Sequence, residues 1–321
     1  MVAKRVELAI ITGPSEWKLK VPVARVNDIR IAYERHGPED ATPLILVQGL
    51  SMPLNAWPPV LIERLVDAGF HIVTLDNRDI GESELFKDFG IPNVPWQVLK
   101  MRLGMSVRSA YRLNDMADDV VGLMDALDIE TAHVAGVSMG GMISQELALG
   151  HANRLRSLTS IMSTTGNPRL PQADSEIVRL MITRPKTENT DKRIEHSMKL
   201  WRLISSPGFD VDFDYVEQRL RNMYARGVTR GGVVRQMLAI AASGNRAPRL
   251  KAVETPSLII HGRDDRLVPV EGGIDTAKSI PGAQLEIIDG MGHDLPLGVL
   301  ERLSGLITDH AQAAERERKA A

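Results

Sequence analysis

Short apolar runs alternate with amphipathic helical stretches along most of this chain, and that alternation narrows the fold more than any other feature. Residues 29–33, 44–47, 71–75, 132–137, 158–162, 257–260 and 284–288 carry strand signals. Helical spacing covers 58–68, 115–127, 142–149, 273–279 and 296–311. Strands apolar throughout need cover on both faces. The pattern therefore predicts an α/β fold with a mostly parallel central sheet flanked by helices. No helix separates the first two runs, which predicts an antiparallel start. Between 165 and 244 the alternation stops. Helical segments at 173–183, 191–204, 213–225 and 231–242 follow one another, punctuated by Pro171, Pro185, Pro207 and Gly208. We read 165–244 as a helical cap inserted into a core made of 1–164 and 245–321. The Glu- and Arg-rich tail, 311–321, reads as a frayed or disordered end.

Composition excludes several function classes. The chain has 321 residues, 43% hydrophobic and 25% charged, enough for a large core and unlike disordered or collagen-like chains. There is no cysteine, which removes disulfides, thiolate metal sites and cysteine nucleophiles together. A net charge of −2 implies no basic face for nucleic acid. No run approaches the roughly 20 apolar residues of a membrane span. Met1-Val2-Ala3-Lys4-Arg5 and the apolar run to Thr12 superficially resemble a signal peptide. Glu7 interrupts that run, and no small-residue cleavage site follows. The expectation is a soluble cytoplasmic protein acting on a small molecule.

The chemistry concentrates at Gly136-Val137-Ser138-Met139-Gly140, where a strand runs into a helix. A serine lifted above a sheet in this way sits in a strained turn, and glycines two residues either side avoid collision. The helix amino terminus then presents free N–H groups at the hydroxyl. A serine needs a base, and the base needs an orienting carboxylate. Where the serine sits on a Gly-x-Ser-x-Gly elbow of this kind, its partners follow in the order acid, then histidine. Three histidines follow the helical block. His261 ends a strand and reads as buried structure, and His310 reads as part of a solvated helix face. His293 lies in the glycine-rich loop Asp289-Gly290-Met291-Gly292-His293-Asp294, which makes it the candidate base. Asp264 and Asp265 are both candidate acids, and spacing does not choose between them. For an oxyanion, the candidate donors are the N–H groups of Met139 and of Leu50, in Gln48-Gly49-Leu50-Ser51-Met52 after the second run.

With those residues in view, the sequence resembles the α/β-hydrolase superfamily from about Val23 to His310. Within it the likeness is to aclacinomycin methylesterase-like and mycobacterial lipolytic carboxylesterase proteins. The segments that carry it are Val47-Gln48-Gly49-Leu50, Asp76-Asn77-Arg78-Asp79-Ile80-Gly81-Glu82-Ser83, residues 136–141 and residues 290–296. The resemblance implies an acid at the fourth position of Gly-x-x-Asp, hence Asp265, and a cap over the site. It implies a serine esterase with Ser138 as nucleophile, His293 as base and Asp265 as orienter, working on small to medium esters. Thioester hydrolysis, acyl transfer, perhydrolysis, methyl-ester cleavage on a specialised metabolite, or a ligand receptor with little turnover are alternatives on the same apparatus. Two positions depart from the family pattern. Many relatives carry histidine where Gln48 stands, and glycine where Asp79 stands. The Asp76–Ser83 turn reads as structural, with an ion pair through Arg78.

Other signals are weaker. Asp210-Val211-Asp212-Phe213-Asp214 begins like a calcium loop but has Tyr215 and Arg221 where glycine and glutamate belong. Gly290 and Gly292 start a dinucleotide fingerprint that reaches Leu295 instead of glycine. Neither a metal nor a cofactor is expected. Met181, Met198, Met223 and Met237 suit either cap packing or a pliable pocket. Trp57, Trp96 and Trp201 suit either a cleft or core.

Overall fold

The structure is a computed structural model and describes residues 21–320 apart from 94, 95, 98, 101, 102, 104, 184, 186 and 188. The amino-terminal run weighed as a signal peptide lies outside the described residues. Among the described residues, no helix is long and apolar enough to cross a membrane.

One eight-stranded sheet organises the chain. Its strands are β1 (Val23–Val26), β2 (Ile29–His36), β3 (Thr42–Val47), β4 (Phe70–Leu75), β5 (Ala132–Val137), β6 (Leu155–Ile161), β7 (Ser257–Gly262) and β8 (Gln284–Ile288). Their order across the sheet is β1-β2-β4-β3-β5-β6-β7-β8, antiparallel for β1 with β2 and β2 with β4, and parallel beyond. The antiparallel start therefore differs from the expectation. Residues 29–33 and 44–47 are not neighbours; β4 lies between them. β2 pairs antiparallel with β4 on one edge and, on the other, with β1, a strand the sequence reading passed over. Asn27 and Asp28 join the two with φ of 48° and 63°, the left-handed pair that a two-residue hairpin requires.

Helices cover both faces. On one side lie α1 (Pro59–Asp67) and α10 (Leu297–Ala320), burying Leu61, Leu65, Leu300, Leu303 and Ile307 against Leu44, Ile72 and Ile260. On the other lie α2 (Leu113–Ala126), α3 (Met139–Gly150) and α9 (Glu271–Ser279). Met116, Val120, Leu123, Ile143 and Leu147 pack there against Ile45, Val73 and Val134. Each fully buried side chain of this size contributes about 1.5–3 kcal/mol, so the centre of the sheet is the most firmly held part of the molecule. All six residues of β4, of β5 and of β7 are buried.

The carboxy-terminal tail corrects two readings. Helix α10 continues to Ala320 instead of fraying at 311, because Ala311 and Ala314 are buried and Arg156 holds Glu315 at 3.1 Å. His310 is buried, not solvated, and its Nε2 lies 3.3 Å from the Pro256 carbonyl.

Between β6 and β7 run α4 (Ser175–Ile182), α5 (Thr190–Ile204), α6 (Phe213–Arg226) and α7 (Arg230–Ser243), then the short α8 (Ala247–Leu250), which the sequence reading did not anticipate. The side chains of Asp174, Asn189, Asp212 and Thr229 each accept a backbone N–H at the start of α4 to α7 in turn. Asp212 spends its carboxylate on the N–H groups of Asp214 and Tyr215, so the calcium-like motif is a helix cap. These helices share a core of Ile177, Ile194, Met198, Trp201, Val216, Leu220 and Met223, joined from the sheet side by Ala56 and Ile80. Arg246 ties the two ends of the block together. Its N–H reaches the Thr165 carbonyl at 2.8 Å, and its guanidinium reaches the Thr164 carbonyl at 2.8 Å and Gln145 Oε1 at 2.9 Å.

Candidate active site

Ser138 stands between the last residue of β5 and the first of α3, at φ 54° and ψ −117°. A non-glycine residue there is strained by about 1–3 kcal/mol and persists only where its surroundings enforce it. The enforcement is visible. Ser138 donates its N–H to the Ile161 carbonyl (2.8 Å), and its own carbonyl accepts from Ser163 Oγ (2.8 Å). A Cβ on Gly136 would meet the Gly140 carbonyl oxygen at 2.2 Å, and one on Gly140 would meet the Val47 carbonyl oxygen at 2.0 Å. The two glycines are what allow strand, helix and the β3 loop to close around the serine.

Above the carboxy-terminal ends of the strands, three side chains form one hydrogen-bonded series. Ser138 Oγ lies 3.0 Å from His293 Nε2, and His293 Nδ1 lies 2.6 Å from Asp265 Oδ2. The other carboxylate oxygen of Asp265 accepts the N–H groups of Leu267 (2.9 Å) and Val268 (2.8 Å). Burial alone would push this carboxyl up. His293 and His261 outweigh it and hold Asp265 down at about 2. It is Asp265, not Asp264, that reaches the imidazole. Asp264 turns away and accepts the N–H of Gly290 at 2.9 Å, bracing the loop that carries His293. His261 is fully buried, with Nε2 2.8 Å from the Val268 carbonyl and 3.5 Å from Asp265 Oδ2.

The His293 loop is also gripped from the end of α5 and the residues that follow it. His293 donates its N–H to the Ile204 carbonyl at 2.7 Å, Gly292 donates to Ser206 Oγ at 2.9 Å, and Gly208 donates to the Gly290 carbonyl at 2.9 Å. Asp294 accepts from both the N–H and the hydroxyl of Ser206, and burial pushes its carboxyl up.

The loop after β3 passes directly over the serine, where a Cβ on Gly49 would stand 3.2 Å from Ser138 Cβ. The N–H groups of Leu50 and Met139 have no protein acceptor among the described residues, as donors awaiting a negatively charged oxygen would require. Gln48 accepts the Gly49 N–H on its own Oε1 (3.2 Å), while its carbonyl takes Asn77 Nδ2 (2.9 Å).

A cavity of about 240 Å³ opens beside Ser138 and His293. Apolar side chains dominate its wall, among them Met52, Met142, Met181, Trp201, Met223 and Leu267. Of the methionines singled out from sequence, Met181 and Met223 line the cavity, while Met198 and Met237 pack in the α4–α7 core. Trp201 lines the cavity and Trp57 fills core, whereas Trp96 does neither and is half exposed. Among the described residues no cluster of three or more His, Asp or Glu is disposed to hold a metal.

Two residues at this site escaped the sequence reading. Arg219, on α6, lines the cavity with no carboxylate in ion-pairing contact among the described residues. Its guanidinium donates to the Ala56 carbonyl, and burial draws it below the usual arginine range. Gln236, on α7, accepts the Ser51 N–H at 3.0 Å. Neither belongs to a motif, and only folding brings α6 and α7 over the strand ends. The Asp76–Ser83 turn carries more than the expected Arg78 pair. Arg78 holds Asp119 (2.6 Å), Arg226 holds Asp76 (2.8 Å) and Arg235 holds Asp79 (2.6 Å), with all three carboxylates buried.

Comparison with known proteins agrees with this architecture. Residues 42–297 match a family model described as alpha/beta hydrolase fold. The chain is 30% identical over 298 residues to rhodomycin D methylesterase of Streptomyces peucetius, covering 86% of this chain and 93% of that protein. It is 26% identical over 290 residues to a 2-hydroxy-6-oxononadienedioate/2-hydroxy-6-oxononatrienedioate hydrolase of Paraburkholderia xenovorans, covering 88% and 91%. An enol-lactonase from Burkholderia xenovorans superposes with a TM-score of 0.69 at 21% identity, over 91% of this chain and all of that one. From the family match and the sheet that carries it, the chain belongs to the α/β hydrolases.

Proposed function

We propose that this hydrolase cleaves carboxylic esters through a serine acyl-enzyme. The supporting observation is the unbroken series Ser138–His293–Asp265 opening onto an apolar cavity. In this reading His293 takes the proton of Ser138 as Oγ attacks the ester carbonyl. The N–H groups of Leu50 and Met139 receive the oxyanion. Asp265 stays ionised, fixes the imidazole tautomer and stabilises the imidazolium. His293 then protonates the leaving alcohol, a water enters, and the same imidazole removes its proton to release the acid. Residues 165–244 act as the cap, whose helices supply much of the cavity wall. Small to medium esters with an apolar portion fit that wall, and methyl esters are the first class to try, because a relative is named a methylesterase. Steady-state turnover of a panel of esters varied in acyl and alcohol length tests the reading. Multiple turnovers with release of free acid are expected, and absence of turnover on every ester overturns it.

Arg219 favours a second reading. Other relatives are named for hydrolysis of dienedioates, which carry two carboxylates, and Arg219 is a cavity cation without an ion-pair partner among the described residues. On this reading the same serine apparatus hydrolyses a carbon–carbon bond next to a ketone in an anionic substrate. Turnover of a dienedioate exceeding that of any simple ester, and lost with Arg219→Met, would select it.

A further inference from the structure

We infer that Gln236, reaching across from α7, is the residue that positions the oxyanion loop, and that the buried Asp79–Arg235 pair holds it there. The inference rests on the ester-hydrolase reading of the site and adds a positioning residue that no motif reveals.

The loop has a mechanical weak point next to the candidate donor Leu50. Ser51 is held at φ 62°, in the left-handed region that a serine adopts only under constraint. Its N–H has one acceptor, Gln236 Oε1 at 3.0 Å. The other end of the same amide, Nε2, donates to the Arg78 carbonyl at 2.9 Å. With a donor on one side and an acceptor on the other, the amide has a single satisfied orientation. Gln236 is completely buried, so no water competes for either bond. A glutamine in the middle of an apolar helix face loses free energy unless both ends are paired, and here both pairs go to backbone beside the site. The result is a bridge from α7 to the Leu50–Ser51 peptide on one side and to the Asp76–Ser83 turn on the other.

The neighbouring residue makes the bridge rigid. Arg235 grips Asp79 with two parallel bonds, Nε to Oδ2 at 2.7 Å and Nη2 to Oδ1 at 2.6 Å, and reaches the Gly90 carbonyl at 3.1 Å. Asp79 also accepts from Tyr111 Oη (2.7 Å) and the Phe86 N–H (2.9 Å). A Cβ on Gly232 would stand 2.0 Å from the Asp79 carbonyl oxygen, so the first turn of α7 lies hard against this turn. Asp79 is itself left-handed, at φ 71°. Asp79, one of the two positions that depart from the resembled family's pattern, is thus the anchor that fixes α7 in rotation and depth, and Gln236 transmits that placement to the loop. A donor to an oxyanion works by being in place before charge develops, so a loop free to move by a fraction of an ångström loses rate without losing ground-state binding.

The test uses the whole chain with Gln236→Met, which keeps length and volume but removes both bonds, and Gln236→Glu, which keeps an acceptor for the Ser51 N–H. Hydrogen exchange by mass spectrometry follows the 49–52 peptide, and kinetics follow a short-chain ester. Affinity for a trifluoromethyl ketone, which forms a serine-bound oxyanion, is measured beside them. Gln236→Met is expected to speed exchange at 49–52 and lower kcat about tenfold to a hundredfold, with KM within about twofold. It should weaken the ketone by the same factor as kcat, and Gln236→Glu should retain more activity than Gln236→Met. Unchanged exchange at 49–52 overturns the inference, as does faster exchange with wild-type kcat, or a loss lying wholly in KM. If Gln236→Met does not fold, Arg235→Lys, which weakens the two-bond grip on Asp79, must show the same exchange and kcat pattern in milder form, or the inference falls. Failure of the wild-type chain to turn over any ester would sink the esterase reading, while the exchange arm still decides whether Gln236 holds the loop.

Discussion

Asp264 and Asp265 are chemically identical neighbours, and the backbone gives them opposite tasks. Asp265 faces inward to His293 and two N–H groups, whereas Asp264 faces out and caps the Gly290 N–H. Asp265→Asn should lower kcat by about 10⁴, because the amide supports the wrong imidazole tautomer. Asp264→Asn, which still presents an oxygen to Gly290, should stay within about tenfold of wild type. Steady-state rates on one chromogenic ester read both, and the reverse ranking would reassign the acid. Ser138→Ala should lose at least about 10⁴ of the rate in the same assay, leaving only what the proposed oxyanion donors and binding provide. The sequence candidates Ser138, His293 and Leu50 lie together around one cavity, with Met139 next to Ser138, and their placement was legible because each sits at a fixed offset from a glycine or a strand end. Choosing between the two aspartates needed the resemblance and then the coordinates, since carboxylate direction leaves no trace in spacing. Arg219 and Gln236 were illegible for a related reason, being ordinary polar residues on amphipathic helices.

Among the elements, α7 is anchored by a buried charge pair. Its buried Arg235–Asp79 pair is desolvated, so removing one partner strands the other. Arg235→Met alone should cost about 3–5 kcal/mol of stability, and the double variant with Asp79→Gly should cost clearly less than the sum of the two single changes. Urea denaturation of the four proteins of that cycle supplies the numbers, and simple additivity would mean that the pair is not coupled. Apolar periodicity read the central strands and most helices closely, with β5 and β8 recovered residue for residue. It failed at the edges of the fold, where packing outweighs pattern. Strand β1 is short and half exposed and exists through its Asn27–Asp28 turn. The last turns of α10 look solvated as a string of Glu and Arg, yet Glu315 is held by Arg156.

For the molecule as a whole, buried histidines set a sensitivity to acid. Burial depresses His133 to about 4, despite Glu315 nearby, with Nδ1 2.8 Å from Ser157 Oγ. The unfolded chain takes up this proton near 6.5, before the native state does. The contribution to stability is therefore complete above about pH 6.5 and is lost as pH falls toward 4, amounting to about 3 kcal/mol. His310 and His36 are lowered in the same direction. Tm should fall steadily between those pH values, and His133→Gln should make the fall shallower; an unchanged slope would exonerate His133. Helix α10 begins four residues after His293 and ends beside the opposite, amino-terminal edge of the strands, where Glu315 meets Arg156 and lies beside His133. Since the chain lacks cysteine, Lys319→Cys would create a unique thiol on the side remote from Ser138. Coupling through it to a solid support would leave every tethered copy with its cavity turned toward the liquid.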